Sequence, residues 1–415
     1  MIIKIFQALL VILLNIIFAC CSLFWKRKRT IVLFGGWFGN QYRDNPRFLF
    51  QYLSDNKQKL GLEHVVWVSR SCEVVELINS LGYEAYLMSS KQSIHYHKYA
   101  KYHIICQSVN NIISNNGDIL GWLSYGAIKL NLWHGSGAVK NVNYSMITNK
   151  TNCNVSKYDV LKMWLHDHSY LFRQFIEKDG GWAHCYYLSS SSSESDQLQM
   201  FFRISRLKCI ESNLPRNCIL SNLTDRERDI FNQVSNDSFK ILYLPTFREK
   251  SSNFNYNNVF NEIYSFIKDY DCLWIQKPHP VDSVNNQSLS QTDRFLCLDS
   301  DFEINIILPL ADIIITDYSS VAVDALFHMI PIIFYIPDYD EYNTLDRGFC
   351  CDYESRMCGY KAYNIDELKH YIKFIMNNPN DSFNDRYLTE RSRWWEHDST
   401  IDEIWKDIIE FTNTK

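Results

Sequence analysis

Short apolar segments with strand character alternate with helical segments along almost the whole chain, and this alternation limits the possible folds more than any other sequence feature. One series starts at Thr30–Phe34, and a second starts near residue 216 and runs through Lys240–Leu244 and Ala311–Thr316. Strands that alternate with helices form parallel sheets joined by crossover helices. At 415 residues the chain is long enough for two domains. We therefore predict an α/β protein with two Rossmann-like, doubly wound domains that face a cleft.

The two series also indicate where the domains begin and end. We predict an N-terminal α/β domain over residues 30–215 and a C-terminal α/β domain over residues 216–415, preceded by a separate segment, residues 1–29. Ligands of doubly wound sheets bind at the carboxyl ends of the strands. We therefore expect the functional residues in the loops that follow strands, in the cleft between the domains.

Residues 1–29 predict a membrane anchor helix with a basic flank. The run from Ile2 to Trp25 is almost wholly apolar, and about 20 such residues are enough to cross a bilayer. The basic run Lys26–Arg29 follows at once, and positive charges of this kind stay on the cytoplasmic side. This pattern predicts a single-pass protein of the cell membrane with its two domains on the cytoplasmic side. A helix that lies in the interface without crossing it remains the alternative.

Charge and cysteine content exclude several classes of protein. The formal net charge is −5, which argues against general binding to nucleic acid because such domains are strongly basic. The chain has 13 cysteines at irregular spacings, with no CxxC pair. This pattern fits reduced thiols better than a disulfide framework or a zinc site.

The first polar motif after a predicted strand is His134 followed by Gly135, with Lys140 close behind. A histidine titrates near neutral pH and can take a proton from a hydroxyl nucleophile. Glycine lets the backbone approach a ligand closely. We therefore consider His134 a candidate catalytic residue, and a structural histidine in a tight turn is the alternative.

Two further motifs in the second series bring cations to strand ends. Lys277 ends the predicted strand at 272–277 and His279 follows it, and Thr246 and Arg248 follow the strand at 240–244. An arginine offers a bidentate fork to a phosphate, and lysine and imidazole add positive charge. Arg347 is a further basic candidate. These residues predict an anionic ligand such as a diphosphate.

The sequence Thr316-Asp317-Tyr318-Ser319-Ser320 lies between a predicted strand and a predicted helix. Ser320 is a plausible N-cap, and the free N–H groups of a helix start attract anions. An ordinary N-cap is the alternative. The chain has no GxxxxGK[ST] loop, no GxGxxG after the first strand and no acidic pair that resembles a metal site. We therefore predict group transfer without a metal or another cofactor.

Taken together, the motifs resemble the CDP-glycerol glycerophosphotransferases, a family that includes teichoic acid primases and polymerases and related capsule enzymes. The resemblance extends from about residue 30 to residue 360, and its motifs occur in the family's order. The motifs are Asp44-Asn45-Pro46, Trp133-His134-Gly135, Pro215-Arg216-Asn217, Pro245-Thr246-Phe247-Arg248, His279-Pro280, Thr316 to Ser320, Asp324 and Arg347-Gly348-Phe349.

This resemblance implies a GT-B-like fold, a CDP-linked polyol phosphate donor and an acceptor on a polyprenyl-linked glycan at the membrane. It implies that residues 30–215 form the acceptor side and residues 216–415 the nucleotide-donor side. His134 would act as the base, and His279 would lie at the donor phosphates. The residues expected to bind the donor phosphates are Thr246, Arg248, Lys277, Ser319, Ser320 and Arg347, with Gly135, Lys140, Asp317 and Asp324 as further candidates.

Two other functions stay open at this point. The chain could be a GT-B sugar transferase that uses a UDP- or GDP-sugar, or a membrane-anchored assembly protein without catalytic activity. The sequence does not identify the polyol or the acceptor, and it does not separate a single addition from polymerisation.

Overall fold

The protein was examined as a computed structural model. The structure describes residues 2–108, 117–142, 157–168, 185–235, 238–246, 248, 259–277, 294–345 and 348–414. The helices are α1 Ile2–Ser22, α2 Asp44–Asp55, α3 Cys72–Ser80, α4 Lys91–Tyr99, α5 Lys157–His168, α6 Ser192–Phe202, α7 Asp225–Val234, α8 Val259–Asp269, α9 Val321–Phe327, α10 Tyr339–Leu345, α11 Tyr353–Arg356, α12 Ile365–Asn377, α13 Asp385–Trp394 and α14 Ile401–Asn413. The strands are β1 Lys28–Phe34, β2 His64–Ser69, β3 Glu84–Leu87, β4 Ala100–Ile105, β5 Ile128–Asn131, β6 Cys185–Ser189, β7 Cys209–Glu211, β8 Phe239–Leu244, β9 Cys272–Gln276, β10 Phe295–Cys297, β11 Ile313–Thr316, β12 Ile332–Tyr335 and β13 Tyr360–Ala362.

The chain divides into two compact units. Unit 1 comprises the described residues of Met1–His134, Asn152–Asn222 and Glu396–Lys415, and unit 2 comprises those of Gly135–Thr151 and Leu223–Trp395. The chain changes from unit 1 to unit 2 between Asn222 and Leu223, whereas the predicted boundary is at residues 215/216. No signal in the sequence indicated that the chain enters unit 2 briefly after His134 or that it returns to unit 1 from Glu396 onward.

The sheet of unit 1 has the strand order β3-β2-β1-β4-β5-β6-β7. Each neighbouring pair is parallel. Helices cover β1 and β2, so both strands are mainly buried, and Phe34, Phe50 and Trp67 form an aromatic cluster against them. This order matches the predicted doubly wound arrangement, whose direction reverses between β1 and β4.

The C-terminal helix α14 belongs to unit 1 because its apolar face packs there. Trp405 lies with its ring centroid 5.5 Å from that of Tyr102, and Phe411 lies 5.6 Å from Tyr186. Thr400 and Glu403 form a capping box at the start of the helix, which satisfies two of its free N–H groups.

The sheet of unit 2 has the order β10-β9-β8-β11-β12-β13, again with parallel neighbours. The apolar run of β11 is fully buried, as expected for a central parallel strand. Helices α8 and α12 pack on one face of this sheet, where Ile263, Ile267 and Ile372 join Trp274 in one apolar core. The two parallel sheets confirm the prediction of an α/β protein.

The segment Glu303–Leu310, which the apolar pattern predicted to be one helix, instead forms two short 3-10 turns. The turns are Ile304–Ile306 and Leu308–Leu310. Pro309 lies in the second turn and has no N–H to donate, so a continuous α-helix would lose a hydrogen bond there.

The N-terminal segment is helical over α1, but the membrane-spanning prediction is not supported. Within the described residues, no helix has both the length and the apolar character needed to cross a bilayer. The helix contacts unit 1 through Phe18, whose ring lies 4.5 Å from that of Trp122.

One residue of the basic run that follows this helix has a structural role that the sequence did not indicate. Arg27 is half-buried, and its guanidinium donates to the carbonyl oxygens of His97, Ala100, Leu123 and Tyr125 at 2.7–2.9 Å. Burial lowers the pKa of Arg27 to about 10. Arg27 therefore fixes the start of β1 to the loops around β4 and β5 in addition to adding positive charge.

Candidate active site

Each sheet has one position at which the strand order reverses, and ligands of doubly wound folds bind beside it. In unit 1 this position lies at the carboxyl ends of β1 and β4, and in unit 2 it lies at the carboxyl ends of β8 and β11. Of the residues predicted from sequence, Thr246 and Asp317 follow β8 and β11 at the reversal point of unit 2, and His134 follows β5, the strand next to β4 in unit 1. The two sets are described separately.

His134 follows β5 at the carboxyl edge of the unit 1 sheet and is half-buried. Its Nδ1 lies 3.2 Å from the carbonyl oxygen of Cys106. A carbonyl can only accept, so Nδ1 is the donor in this bond. The ring also contacts Trp37 and Trp133, at centroid distances of 5.3 and 4.0 Å. When the ring is neutral, the bond to Cys106 selects the tautomer that a general base requires, with the proton on Nδ1 and the lone pair on Nε2.

Asn45 fixes the backbone in front of His134, and the sequence analysis noted this residue only as part of a resemblance. Its Nδ2 donates to the carbonyl oxygens of Leu132 and Trp133 at 3.1 and 3.0 Å. Its Oδ1 accepts from the backbone N–H of Arg216 at 3.0 Å. Asn45 is completely buried, so these bonds form in a dry environment. Two separated motifs of the sequence therefore act together to position the histidine loop.

The backbone around His134 is strained. Trp37, Phe38, Asp44 and Trp133 have φ values of 48°, 57°, 64° and 52°. Residues other than glycine rarely adopt this left-handed backbone conformation, and those that do cluster at functional sites. The sequence offered no signal for them, because none of these positions is a glycine.

Thr246 and Asp317 meet at the reversal point of unit 2. The backbone N–H of Thr246 donates to both carboxylate oxygens of Asp317 at 2.9 and 3.0 Å, and Tyr318 N–H donates to one of them at 2.6 Å. The hydroxyl Oγ1 of Thr246 is buried and has no hydrogen-bond partner among the described residues. A buried hydroxyl without a partner costs free energy unless a ligand satisfies it.

Arg248 is close to this point, but most of its donors already have partners within unit 2. Its guanidinium bonds Asp338 at 2.7 and 3.1 Å, pairs with Asp317 at 2.9 Å and donates to the Thr246 carbonyl at 2.6 Å. Burial alone would lower the pKa of Arg248, yet the two carboxylates raise it above its ordinary value. The guanidinium therefore ties β8, β11 and the loop after β12 together, and this geometry does not favour the predicted direct contact with phosphate.

Ser319 and Ser320 precede helix α9, as predicted, but the cap differs from the expectation. Ser320 occupies the N-cap position without a side-chain cap bond, and the N–H of Val321 donates to Oγ of Ser319 at 3.3 Å instead. A Cβ on Gly135 would lie 3.1 Å from Oγ of Ser320. The glycine after His134 therefore leaves the Ser320 hydroxyl uncovered on this side.

The remaining candidates occupy less direct positions. Lys277 follows β9, and its backbone N–H donates to the carbonyl of Tyr243 in the neighbouring strand at 3.3 Å. Lys140 pairs with Phe349 in an isolated antiparallel bridge. Asp324 lies in α9 and is buried. His279 and Arg347 lie outside the described residues, so their predicted roles stay predictions.

Among the described residues, one group brings possible metal ligands together, at the end of β7. Ligand atoms of Glu211, Glu396 and His397 lie within 4.8 Å of one another. Both carboxylates already bond other groups, because Arg206 contacts Glu211 at 3.1 Å and Ser192 donates to Glu396 at 2.6 Å. The group stands outside the histidine and threonine sites described above.

Comparison with known proteins gives one matching family. The family described as CDP-Glycerol:Poly(glycerophosphate) glycerophosphotransferase matches residues 17–401. The chain is 26% identical over 361 residues to the teichoic acid poly(glycerol phosphate) polymerase of Bacillus spizizenii, a match that covers 84% of each protein. It is 24% identical over 369 residues to the teichoic acid glycerol-phosphate transferase of Staphylococcus aureus, covering 85% of this chain and 86% of the relative.

The fold is also similar to a solved structure. The wall teichoic acid polymerase TagF superposes with a TM-score of 0.68 over 99% of both chains, at 17% sequence identity. At this identity the comparison establishes the shared fold, and it agrees with the predicted GT-B-like class.

Proposed function

The chain belongs to the CDP-glycerol:poly(glycerophosphate) glycerophosphotransferase family and is thus a transferase, and on this premise we propose its reaction. A glycerol phosphate-type group passes from a CDP-activated donor to a hydroxyl of a membrane-linked glycan, in the synthesis of a teichoic acid or a capsule-type polymer. One observation carries this proposal, namely the His134 imidazole, whose Nδ1 is oriented by the Cys106 carbonyl at the carboxyl edge of unit 1.

The proposed reaction is a displacement at phosphorus. Nε2 of His134 removes the proton of the acceptor hydroxyl as its oxygen attacks the phosphorus that bears the glycerol. The new oxygen–phosphorus bond forms while the bond to the bridging oxygen of the diphosphate breaks, and CMP leaves with that electron pair. A positioned general base of this kind contributes about 10²–10⁴-fold to the rate.

The donor phosphates are proposed to bind at the reversal point of unit 2. Among the residues that the structure describes, the Thr246 hydroxyl has no partner there, and the uncovered Ser320 hydroxyl offers a second donor. Lys277 and His279 supply positive charge, and Arg347 is a further candidate. Fixed donors aimed at developing charge stabilise a phosphoryl-transfer transition state. Arg248 contributes indirectly, because it holds the Asp317 carboxylate against the Thr246 backbone.

A donor screen tests this proposal. The full-length protein is incubated with a bacterial membrane lipid extract and CDP-glycerol, UDP-sugars or GDP-sugars in separate reactions. We expect a nucleotide product, CMP, only in the reaction that contains CDP-glycerol. In that reaction the lipid product should be heavier by one or more glycerol phosphate units. Release of UDP or GDP would identify a sugar transferase, and inertness with every donor would favour an assembly protein.

We further propose that the protein works at the cytoplasmic side of the cell membrane. Helix α1 leaves Leu13 and Ile17 exposed at 55% and 45%, and Leu23 and Phe24 directly after it are exposed at 83% and 85%. Apolar surface of this kind, with the basic residues that follow, favours an anionic bilayer. Leu13→Glu combined with Phe24→Glu is expected to abolish co-sedimentation with phosphatidylglycerol vesicles. Unchanged sedimentation would argue against a role for α1 at the membrane.

A further inference from the structure

A turn of left-handed backbone lies at the reversal point of the unit 1 sheet. Trp37, Phe38 and Gly39 have φ values of 48°, 57° and 77° in succession. Left-handed conformation costs roughly 1–2 kcal/mol per residue other than glycine, and it normally occurs at single positions. Two bulky aromatic residues in a row in this region therefore need a strong external cause.

The cause is a dense set of bonds to neighbouring loops. The N–H of Phe38 donates to Oδ1 of Asp118 at 2.7 Å, and its carbonyl accepts from the Arg70 guanidinium. The carbonyl of Gly39 accepts from the hydroxyl of Ser69 at 2.7 Å and from the backbone N–H of Arg70 at 2.6 Å. Gly39 has to be a glycine, because a Cβ there would lie 2.3 Å from the Arg70 guanidinium.

This turn places the Phe38 side chain toward solvent. Phe38 is 44% exposed, although its backbone N–H and carbonyl are both hydrogen-bonded. The bonds that hold the turn are made by its backbone groups and do not involve the ring. Strained residues of this kind cluster at ligand-binding sites, so a ligand accounts for the strained backbone and the exposed ring together.

The position of the turn identifies the class of ligand. It lies where ligands of doubly wound sheets bind, and the adjacent residue Trp37 contacts the ring of His134. The ligand near a general base is the molecule whose hydroxyl loses its proton. A saccharide offers both a hydroxyl and a face of C–H bonds, and such a face is attracted to the negative face of an aromatic ring.

We infer that Phe38 is a binding residue for the acceptor, and that its ring packs against the C–H face of a sugar ring of the membrane-linked glycan. This inference rests on the proposed transfer reaction and extends it to the acceptor subsite. Asp118 and Arg70 act as positioning residues, because they hold the backbone that presents the ring.

The test compares Phe38→Ala, Phe38→Leu, Phe38→Trp and Phe38→Gly in the full-length protein, with membrane lipid extract as the acceptor and CDP-glycerol as the donor. We expect Phe38→Ala and Phe38→Leu to raise the acceptor KM about tenfold, with the KM for CDP-glycerol within twofold of wild type. Phe38→Trp keeps the wild-type acceptor KM. The matched control Tyr363→Ala, which removes a 47% exposed ring from unit 2, leaves both constants unchanged.

Phe38→Gly separates binding from folding. Glycine relieves the left-handed strain, so its melting temperature is expected to equal or exceed that of wild type, while the acceptor KM still rises. A clearly lower melting temperature for Phe38→Gly would make the ring a structural element and overturn the inference.

Three further outcomes also test the proposed role of Phe38. If Phe38→Leu keeps the wild-type acceptor KM, the ring contacts an aliphatic lipid chain and the sugar assignment is wrong. An unchanged acceptor KM in every Phe38 variant of an active enzyme refutes the inference alone. No transfer by the wild-type protein refutes the proposed function and the inference together.

Discussion

At the scale of single residues, Thr246 and Arg248 show how two neighbours in one motif acquire different roles. Both follow β8, and the sequence predicted that both would contact phosphate. The structure leaves the Thr246 hydroxyl without a partner among the described residues, whereas the Arg248 guanidinium bonds two buried carboxylates. Sequence could not separate them, because Asp338 lies 90 residues further along the chain.

This difference predicts a loss of stability when Arg248 is replaced. Arg248→Met leaves Asp317 and Asp338 buried without a counter-charge, which is expected to cost about 3–5 kcal/mol of unfolding free energy. The control Arg228→Met removes an exposed pair with Asp225 in the same unit and is expected to cost less than about 1 kcal/mol. Urea denaturation measures both. Wild-type stability in Arg248→Met with a raised KM for CDP-glycerol would instead place the guanidinium on the donor.

The glycines of unit 2 allow a similar paired comparison. Gly137 and Gly348 have φ values of 59° and 64°, so an alanine at either position meets the same backbone penalty of roughly 1 kcal/mol. A Cβ on Gly137 would also lie 2.6 Å from Cγ2 of Val323, whereas the nearest atom to a Cβ on Gly348 is 3.5 Å away. Gly137→Ala is therefore expected to lose about 1–3 kcal/mol more than Gly348→Ala in urea denaturation. Equal losses of unfolding free energy would show that the loop after His134 can shift at little cost to make room for the added methyl group.

Residues at strand ends were predictable where the chemistry was carried by the side chain itself. His134 was located from its position after a strand and its titratable ring. Asn45 holds the carbonyls of Leu132 and Trp133 with its side-chain amide, and Phe38 lies in a left-handed turn. Neither arrangement can be recognised from residue type alone, so no physical signal in the sequence selected these two residues.

At the scale of elements, β4 and α4 carry two buried histidines beside Arg27. Nδ1 of His97 donates to the Ser93 carbonyl at 2.7 Å, and its Nε2 accepts from the Leu120 N–H at 3.0 Å. A second proton on this ring would lie on Nε2 and point at the Leu120 N–H, which is itself a donor. The charged form of His97 is therefore disfavoured. Burial lowers the pKa of His97 to about 4, and burial together with Arg27 lowers the pKa of His103 well below its usual value.

These lowered pKa values predict acid lability. The unfolded chain binds a proton at each histidine below pH about 6.5, whereas folded His97 does so only near 4. The contribution of neutral His97 to the unfolding free energy is therefore fully present above pH about 6.5 and is lost as the pH falls toward 4. Burial raises the pKa of Asp118 to about 6, so the folded protein binds this proton more readily than the unfolded chain does. This difference offsets part of the loss of stability as the pH falls.

The variant His97→Gln isolates the histidine. A glutamine can accept from Leu120 without titrating, so the fall in melting temperature between pH 7 and pH 4.5 is expected to be smaller in His97→Gln than in wild type. The exposed His95→Gln in the same helix serves as the control and is expected to show the wild-type slope. Identical slopes in all of these proteins would contradict a buried neutral His97.

Elements were predictable where apolar periodicity was strong and uninterrupted. The strand HVVWVS and the helix Ile365–Asn377 have the predicted bounds. The serine run after β6 was predicted as a loop, yet Ser191 caps α6 and Ser192 begins it. Serine is only a moderate helix former, and this start is favoured by the bond from the Glu194 N–H to the Ser191 hydroxyl and by the bonds from Ser190 to the Glu194 carboxylate.

At the scale of the whole molecule, the two parallel sheets were predictable because each one is encoded by a continuous alternation of strands and helices. The path of the chain between the two units could not be predicted in this way. Helices α13 and α14 are both amphipathic, yet α13 belongs to unit 2 and α14 to unit 1. The surface that buries each helix is formed by residues far away in sequence, such as Tyr102 for Trp405.

The whole of the proposed reaction depends on one step, in which His134 is proposed to remove the proton of the acceptor hydroxyl. The most direct measurement is the rate of CMP release from CDP-glycerol in the presence of membrane lipid acceptor, for wild type, His134→Ala and the control His95→Ala, each with an unchanged melting temperature. We predict a loss of at least about 100-fold in His134→Ala and none in His95→Ala. A folded His134→Ala protein that releases CMP and extends the lipid at the wild-type rate would contradict the claim.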